Sequence, residues 1–449
     1  MLAGGLIIRY NQRRNETAPH ATPVTNDMNI FPRLRFVFAA GLVFTVGFLV
    51  AAEDIPLPVI PTATFNVTNY SAVGDGKTRN TAAIQKTIDA ASAQGGGMVV
   101  VPAGDFLTGP LKLASSINLH LAKGATLFIS DDITNYPVAK NRYVDAITAA
   151  DAHDLEISGE GIIDGQGQAW WTAFQANPAM THRPFLIKLA GCTRLRVAGV
   201  TLENSPMFHL VPENCTDVTI EDIHIQAPTN AANTDGIDPS GWNFMISNCT
   251  IDTGDDNIAV KPGKARSPGN KNYTIRNCTF LHGHGCSIGG GTLGGVEDYA
   301  VSNCAFNGTD AGIRIKTVRG NGGLLQHFTY DNLTMTSVKR PVYIIDYYPE
   351  RTAPKDPVTE TNAPVTSTTP ITRDITIRNV TITDCPTAGI IRGLPEMPIA
   401  NITFSNVNIS TKSGMTIYRA RGIQFTNSTI KVERGNPLEL FDAEVSGLK

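Results

Sequence analysis

The sequence predicts an all-β fold: a single-stranded, right-handed parallel β-helix, a solenoid of short coils with a short N-terminal capping helix. Three observations predict it. A phrase of two apolar alternations around one small polar residue keeps returning, as in Phe244-x-Ile246-Ser247-Asn248-Cys249-x-Ile251, Tyr273-x-Ile275-Arg276-Asn277-Cys278-x-Phe280 and Tyr299-x-Val301-Ser302-Asn303-Cys304-x-Phe306. The implied strands are three to five residues long, too short for helices, with turns between them. The pivot is Asn, Asp or Gly, the residues that accept a left-handed backbone at a sharp bend. A bend at one position per coil lets each coil stack on the last with parallel strands about 4.8 Å apart. Such fixed-period self-similarity marks a repeat architecture.

The chain begins with a segment that does not belong to the solenoid. Met28 opens a stretch with Arg33 and Arg35, an apolar run Phe36 to Val50, and Ala51-Ala52. A basic start, a 15-residue apolar core and small residues at its end predict a secretory signal within residues 28–52, with Met28 as the start of translation. The apolar core is short beside the ~20 residues of a membrane span. Residues 1–52 are therefore read as an N-terminal extension and signal, and the protein as secreted or periplasmic without stable membrane association after cleavage.

Residues 53–449 are read as one β-helical domain. Its lead-in, Ile55 to Pro61, is Pro-rich and is followed by Tyr70-Ser71-Ala72-Val73-Gly74-Asp75-Gly76. Thr81 is placed as the N-cap of a helix with Ile84, Ile88 and Ala91 on one face, ending at Gly95-Gly96-Gly97. This helix is read as a plug over the open end of the stack. Met98 to Pro102 reads as a strand, and the repeat is read from residue 155 onward. Its pivots are Gly159, Gly199, Asp222, Asn248, Asn277, Asn303, Asn332, Asn379, Asn406 and Asn427. Asn248 to Asn277 spans 29 residues, Asn277 to Asn303 spans 26 and Asn303 to Asn332 spans 29. A β-propeller, with about 40 or more residues per blade, fits this spacing poorly. The spacing breaks between Asn332 and Asn379, 47 residues apart, where a Pro/Thr-rich loop at 346–373 could wall one end of a cleft. Several pivots sit in Asn-x-Ser/Thr sequons, which the repeat explains better than glycosylation does.

Composition narrows the function. Charged residues are 17%, the net charge is −3 and hydrophobic residues are 42%, which argues against a nucleic-acid partner and against disorder. The 41 glycines suit a turn-rich β protein. Seven cysteines carry no CxxC or Cys/His metal spacing. Cys249, Cys278 and Cys304 share one repeat position, and Cys192 and Cys215 another; they read as small buried hydrophobes, with a disulfide open to an exported chain.

Four polar clusters recur at one phase of the repeat: Asn233-Thr234-Asp235-Gly236, Thr253-Gly254-Asp255-Asp256, Gly283-His284-Gly285 and Arg314-Ile315-Lys316. Each lies just before or within the third strand of its coil, so stacking gathers them into one patch some 14 Å tall. Neighbours in a strand face opposite ways, so Asp255 and Asp256 reach one cleft only from a turn, which Gly254 favours. Carboxylates crowded together raise one pKa, leaving one acid protonated beside others that stay ionised. That suits glycoside hydrolysis, where one carboxyl protonates the leaving oxygen and another activates water. Arg314 and Lys316, an i, i+2 pair, leave the strand on one face and imply an anionic ligand. Five basic residues and no acidic one between Asn257 and Arg276 agree with that.

The four clusters resemble, in order and roughly in spacing, the signature motifs of the polygalacturonases, the pectin-hydrolysing glycoside hydrolases of family 28. Asn204-Ser205-Pro206 and Gly236-Ile237-Asp238-Pro239 resemble the same family, and the likeness covers about residues 65–430. The resemblance implies a single-displacement, inverting hydrolysis of α-1,4-linked galacturonate in a pectic polysaccharide, by a monomer with no cofactor and no metal. It implies Asp255 as general acid, Asp235 and Asp256 as the pair that holds and deprotonates water, and His284 as tuning the acid. It makes Arg314 and Lys316 the grip on a galacturonate carboxylate, with Asn233 lining the same subsite. Arg340-Pro341-Val342-Tyr343 departs from the family wording, with Tyr343 or Arg340 substituting for a substrate-binding tyrosine; Gly289-Gly290-Gly291-Thr292 departs as well. Endo and exo action are both compatible with the sequence. So are a rhamnogalacturonan or xylogalacturonan hydrolase, a calcium-dependent lyase, and a non-catalytic carbohydrate-binding β-helix.

Overall fold

The computed structural model describes residues 55–139, 142–180, 182–263, 269–354 and 360–448; the expected signal segment lies outside them. The repeat forms the expected right-handed solenoid, with three faces of parallel strands. One face runs through Gly97–Val101, Ile117–Leu121, His153–Gly159, Thr193–Ala198, Cys215–Glu221, Gly241–Ser247 and Lys271–Arg276. The alternation read from the sequence sets the register: Phe244, Tyr273, Tyr299 and Phe328 pair in turn and point inward. Their rings contact one another at 4.9, 6.2 and 5.8 Å.

The bends take the left-handed backbone that the pivots allow. Asp222, Asn248, Asn277, Asn303, Asn332, Asn379, Asn406 and Asn427 all have φ between 48° and 57°. Their amides donate up the column, Asn277 to Asn248 at 3.2 Å, Asn303 to Asn277 at 3.3 Å, Asn332 to Asn303 at 2.8 Å and Asn406 to Asn379 at 2.8 Å. A second left-handed column, not read from the sequence, stands five residues earlier at Asp217, Asn243, Asn272, Asp298, His327, Asp374 and Asn401. It carries its own ladder, with Asn243 donating to Asp217 at 2.6 Å and Asn272 to Asn243 at 2.8 Å.

Two expectations are corrected. Coil pairing begins at Thr64, which pairs with Met98, not near residue 155; the early coils turn at Pro102-Ala103 and Lys123-Gly124 and so lack the Asn phrase. The helix Thr81–Ala93 is capped by Asn80, not Thr81. Asn80 turns its side chain to Val73 instead of the helix, and the Thr81 hydroxyl accepts the Gly109 N–H at 2.6 Å. Ile84, Ile88 and Ala91 are buried, as a plug requires. All seven cysteines are buried and none forms a disulfide.

At the other end, Leu438–Ser446 pairs only with Ile399–Thr426 among the described residues, leaving Leu440 and Phe441 exposed. A second helix, Gln168–Ala176, buries Trp170 against Tyr136 and Tyr143, and its Trp171 indole donates to the Ser205 carbonyl at 3.1 Å. The Pro/Thr-rich loop is tied down by Glu360, which meets Tyr347 at 2.5 Å, Arg319 at 2.7 Å and Arg419 at 2.8 Å.

Candidate active site

The third face builds the site through its register. Leu210, Ile237, Ile258, Cys286, Ile313 and Val342 pair in succession and fill the interior. The next residue on each rung therefore faces outward, giving one column of Val211, Asp238, Ala259, Ser287, Arg314 and Tyr343. Two residues further on, Lys261, Gly289 and Lys316 form a second column. Residues two positions before the inward set bring Asp235, Asp256 and His284 together. Small residues clear the way: a Cβ on Gly289 would stand 1.9 Å from the Lys316 carbonyl, at a φ of 103°.

Buried polar groups fix the turns. Asn257 donates to the His282 carbonyl at 2.6 Å and accepts the Gly285 N–H at 2.7 Å, locking the Asp255-Asp256 turn to the His284 turn. Thr234 accepts the Gly254 N–H at 3.0 Å. Arg183, fully buried, donates to the carbonyls of Pro206 at 2.8 Å and Ala232 at 3.0 Å and to the Asn233 side chain at 2.9 Å. Asn233 therefore serves as part of the turn that aims Asp235.

The three acids have different surroundings. Asp256 is buried and accepts from Arg314, from Lys316 at 2.6 Å and from the Ser287 hydroxyl at 2.9 Å. Asp235 is buried against Lys261 at 2.6 Å, and Lys261 also holds Asp238 at 2.5 Å. One oxygen each of Asp235 and Asp238 has no partner. Asp255 keeps 23% of its side chain exposed, against 2–3% for the other two, and is the carboxyl a substrate can reach. His284 Nδ1 lies 2.9 Å from Asp255 and 3.6 Å from Asp256, with Nε2 3.5 Å from Asp310.

These surroundings separate the titrations. Burial, then the Asp238 charge, pushes Asp235 well above the usual carboxylate range despite Lys261. Burial also pushes Asp238 up, to about 6, against the pull of Lys261. For Asp255, burial is outweighed by the His284 hydrogen bond, and the carboxyl is held below its ordinary value. Burial of Asp256 is outweighed by Lys316, His284 and Arg314, which hold it well below that value. Burial disfavours the His284 cation, yet its bonds to Asp255 and Asp256 raise it to about 9. Crowding does raise one of the three acids as expected, but that acid is Asp235, because it is buried and shares its one lysine with Asp238, whereas Asp256 has two cations and Asp255 the His284 hydrogen bond.

All the predicted residues except Tyr343 thus sit in or directly behind one groove. Tyr343 is buried behind Arg314, its ring 5.9 Å from the guanidinium, and its hydroxyl meets Glu350 at 3.2 Å. The tyrosine beside Lys316 is Tyr348 from the Pro/Thr-rich loop, 5.2 Å from the ammonium. Lys261, Asp238, Ser287 and Arg183 were not singled out as site residues. Lys261 was legible as the residue three beyond Ile258, in phase with Lys316.

The oxygens of Asp255 and Asp256 and a nitrogen of His284 lie within 4.8 Å of one another, close enough to share a cation. The donor set fits one poorly, because both Asp256 oxygens are already taken by Arg314 and Lys316.

A solenoid that gathers three acids, an imidazole and two cations into one groove defines a β-helical carbohydrate-cleaving enzyme. The model of glycosyl hydrolases family 28 matches residues 92–429. A polygalacturonase of Juniperus ashei is 34% identical over 367 residues, 78% of this chain and 68% of that one. An endo-polygalacturonase of Pectobacterium parmentieri is 32% identical over 358 residues, 74% of this chain and 85% of that one. The crystal structure of an exopolygalacturonase from Thermotoga maritima superposes with a TM-score of 0.74 at 25% identity, covering 86% of this chain and 95% of that one. The chain belongs to glycosyl hydrolases family 28 and is a glycoside hydrolase.

Proposed function

We propose that the protein hydrolyses α-1,4-galacturonosyl linkages of polygalacturonate with inversion, and that it is exported by a signal within residues 28–52. The observation that carries this is the division of labour among the acids. Asp255 is the reachable carboxyl and is hydrogen-bonded to a protonated imidazole, while Asp235 and Asp256 are buried behind it. Asp255 protonates the glycosidic oxygen as the bond to the anomeric carbon breaks. His284, 2.9 Å away, holds the proton that the pair shares before substrate arrives. Water enters from the opposite face of the ring, its oxygen bonding to the anomeric carbon and its proton passing to a carboxylate. Asp256, which its cations hold ionised in the free site, is the carboxylate that takes this proton, while Asp235 helps to hold the water. Arg314 and Lys316, which neutralise Asp256 in the free site, turn to a galacturonate carboxylate, the ligand their geometry suits. The polygalacturonase relatives support the choice of substrate.

The test is Asp255→Asn. Release of reducing ends from polygalacturonate should fall roughly 10²–10⁴-fold, the usual contribution of a general acid, with oligogalacturonate binding retained. Normal turnover in this variant ends the assignment. Whether long oligomers or monomers appear first distinguishes endo from exo cleavage, and proton NMR of the first-formed anomer reads inversion directly.

A further inference from the structure

The turn that carries Asp235 is held from beneath by two buried side chains that the reaction does not use. Arg183 lies between the helix Gln168–Ala176 and the strand Ile187–Ala190 and is 1% exposed. Its guanidinium lies over the Phe174 ring of that helix, 4.2 Å from the centroid. From there it reaches two consecutive coils at once. One nitrogen donates to the Pro206 carbonyl at 2.8 Å, the other to the Ala232 carbonyl at 3.0 Å and the Asn233 side chain at 2.9 Å. Those turns follow Thr201–Glu203 and His224–Gln226, strands that pair in register. A guanidinium only donates, so the Asn233 atom facing it is the amide oxygen.

His209 holds the same turn from its other side. Its backbone N–H and its ring Nδ1 both reach the Asp235 carbonyl, at 2.8 and 3.0 Å, so Nδ1 carries the proton. Nε2 accepts the Ser205 N–H at 3.4 Å, and Trp171 of the helix donates to the Ser205 carbonyl. Burial pushes this imidazole down to about 4. On the next coil, the Gly236 N–H donates to the Asp256 carbonyl at 2.8 Å, so the placement of one acid is passed to the other.

Burying a guanidinium is costly, and an apolar side chain would fill the same space without that cost. Arg183 has no ion pair among the described residues; the carboxylates that face it are Asp235 and Asp255, and burial pulls it down to about 10 against them. What the guanidinium supplies is a planar fork of five donors that serves three acceptors on two turns, which a point-like ammonium does less well. We propose that Arg183 is a positioning residue for the hydrolysis: by holding Asn233 and its turn, it fixes where the Asp235 carboxyl stands beside the attacking water. It rests on the functional reading above in taking Asp235 as a holder of that water.

The test is kinetics on polygalacturonate with Arg183→Met, Arg183→Lys, Asn233→Ala and the double variant of the last two, each checked for fold by circular dichroism and thermal unfolding. In Arg183→Met kcat should fall roughly 10–100-fold, the scale of moving a reacting group by about 1 Å, while KM stays within about threefold. Arg183→Lys should lose roughly tenfold in kcat, and carries the test if Arg183→Met does not fold. Asn233→Ala should lose kcat as well, and the double variant no more than the larger single loss, because both break one contact. Methylguanidinium added to Arg183→Ala should restore part of kcat and should leave Asn233→Ala unchanged. A merely structural residue would lower the melting temperature with kcat intact. A kcat within about twofold of wild type in folded Arg183→Met or Arg183→Lys, losses that multiply in the double variant, or a loss carried by KM alone overturns the proposal. Failure of the hydrolase reading would show separately, as wild-type protein releasing no reducing ends while Arg183→Lys and Asn233→Ala still fail to add in thermal unfolding.

Discussion

Lys261→Met removes a charge while keeping an apolar stem, and its cost should depend on pH in a direction the structure dictates. Lys261 is the shared counter-ion of two buried carboxyls, Asp235 and Asp238. With the lysine present, Asp238 titrates at about 6 instead of 3.8. At pH 8 that displacement destabilises the native state by about 3 kcal/mol. Without the lysine, Asp238 stays neutral past pH 8, and holding it so costs about 5–6 kcal/mol. The variant should therefore lose roughly 2–3 kcal/mol at pH 8 through this one group. At pH 5 Asp238 is protonated in both proteins, and the difference falls to roughly zero. A carboxyl whose native pKa is raised carries no penalty below its unfolded pKa and its full penalty above the native one. Loss of the ammonium over Phe208, at 3.8 Å, adds about 0.5–1 kcal/mol at every pH. Urea unfolding of both proteins at pH 5 and pH 8, followed by tryptophan fluorescence, reads the difference. A loss that is equal at the two pH values, or larger at pH 5, would refute the shared counter-ion.

His284→Gln should show the opposite trend. Its native pKa of about 9 lies above the ordinary 6.5, so the wild type should lead by up to ~3 kcal/mol below pH 6.5 and lose that lead as pH passes 9; a constant gap contradicts the His284–Asp255 pairing. Asn303→Ala should destabilise by about 1–2 kcal/mol for the left-handed backbone, and Asn303→Gly by less, because glycine accepts φ of 53° freely; equal losses in thermal unfolding would assign the whole effect to the ladder. Prolonged treatment with a calcium chelator should leave reducing-end release unchanged, and activity lost to the chelator and restored by Ca²⁺ would replace acid–base hydrolysis with metal chemistry.

The site was legible because a solenoid turns sequence phase into height. Once Asn248, Asn277 and Asn303 fix the bend, the positions of Asp256, His284 and Lys316 relative to it decide which residues meet. The column at Asp217, Asn243 and Asn272 was equally legible, five residues before each pivot, but was hidden inside what reads as uninterrupted strand. What the phase cannot supply is the company each acid keeps. That Asp256 takes both cations, leaving Asp235 as the raised acid, follows from side chains crossing two or three rungs. Tyr348 was out of reach for another reason: it arrives on a loop with no place in the repeat, and Tyr343 in phase was the natural choice. The helix Gln168–Ala176 interrupts a coil and escaped for the same reason.

The two ends of the solenoid are finished differently, and that gives the molecule a direction. Coils hold only to their immediate neighbours, so among the described residues loosening starts at Leu438–Ser446, which pairs on one side alone. The plugged N-terminal end has no such starting point. Unravelling must shed the rungs of Ile399–Thr426, the far half of Ile371–Arg392 and Arg340–Ile345 before it reaches Arg314. Trimming by a protease from the carboxyl terminus should therefore shorten the protein well before it silences the enzyme.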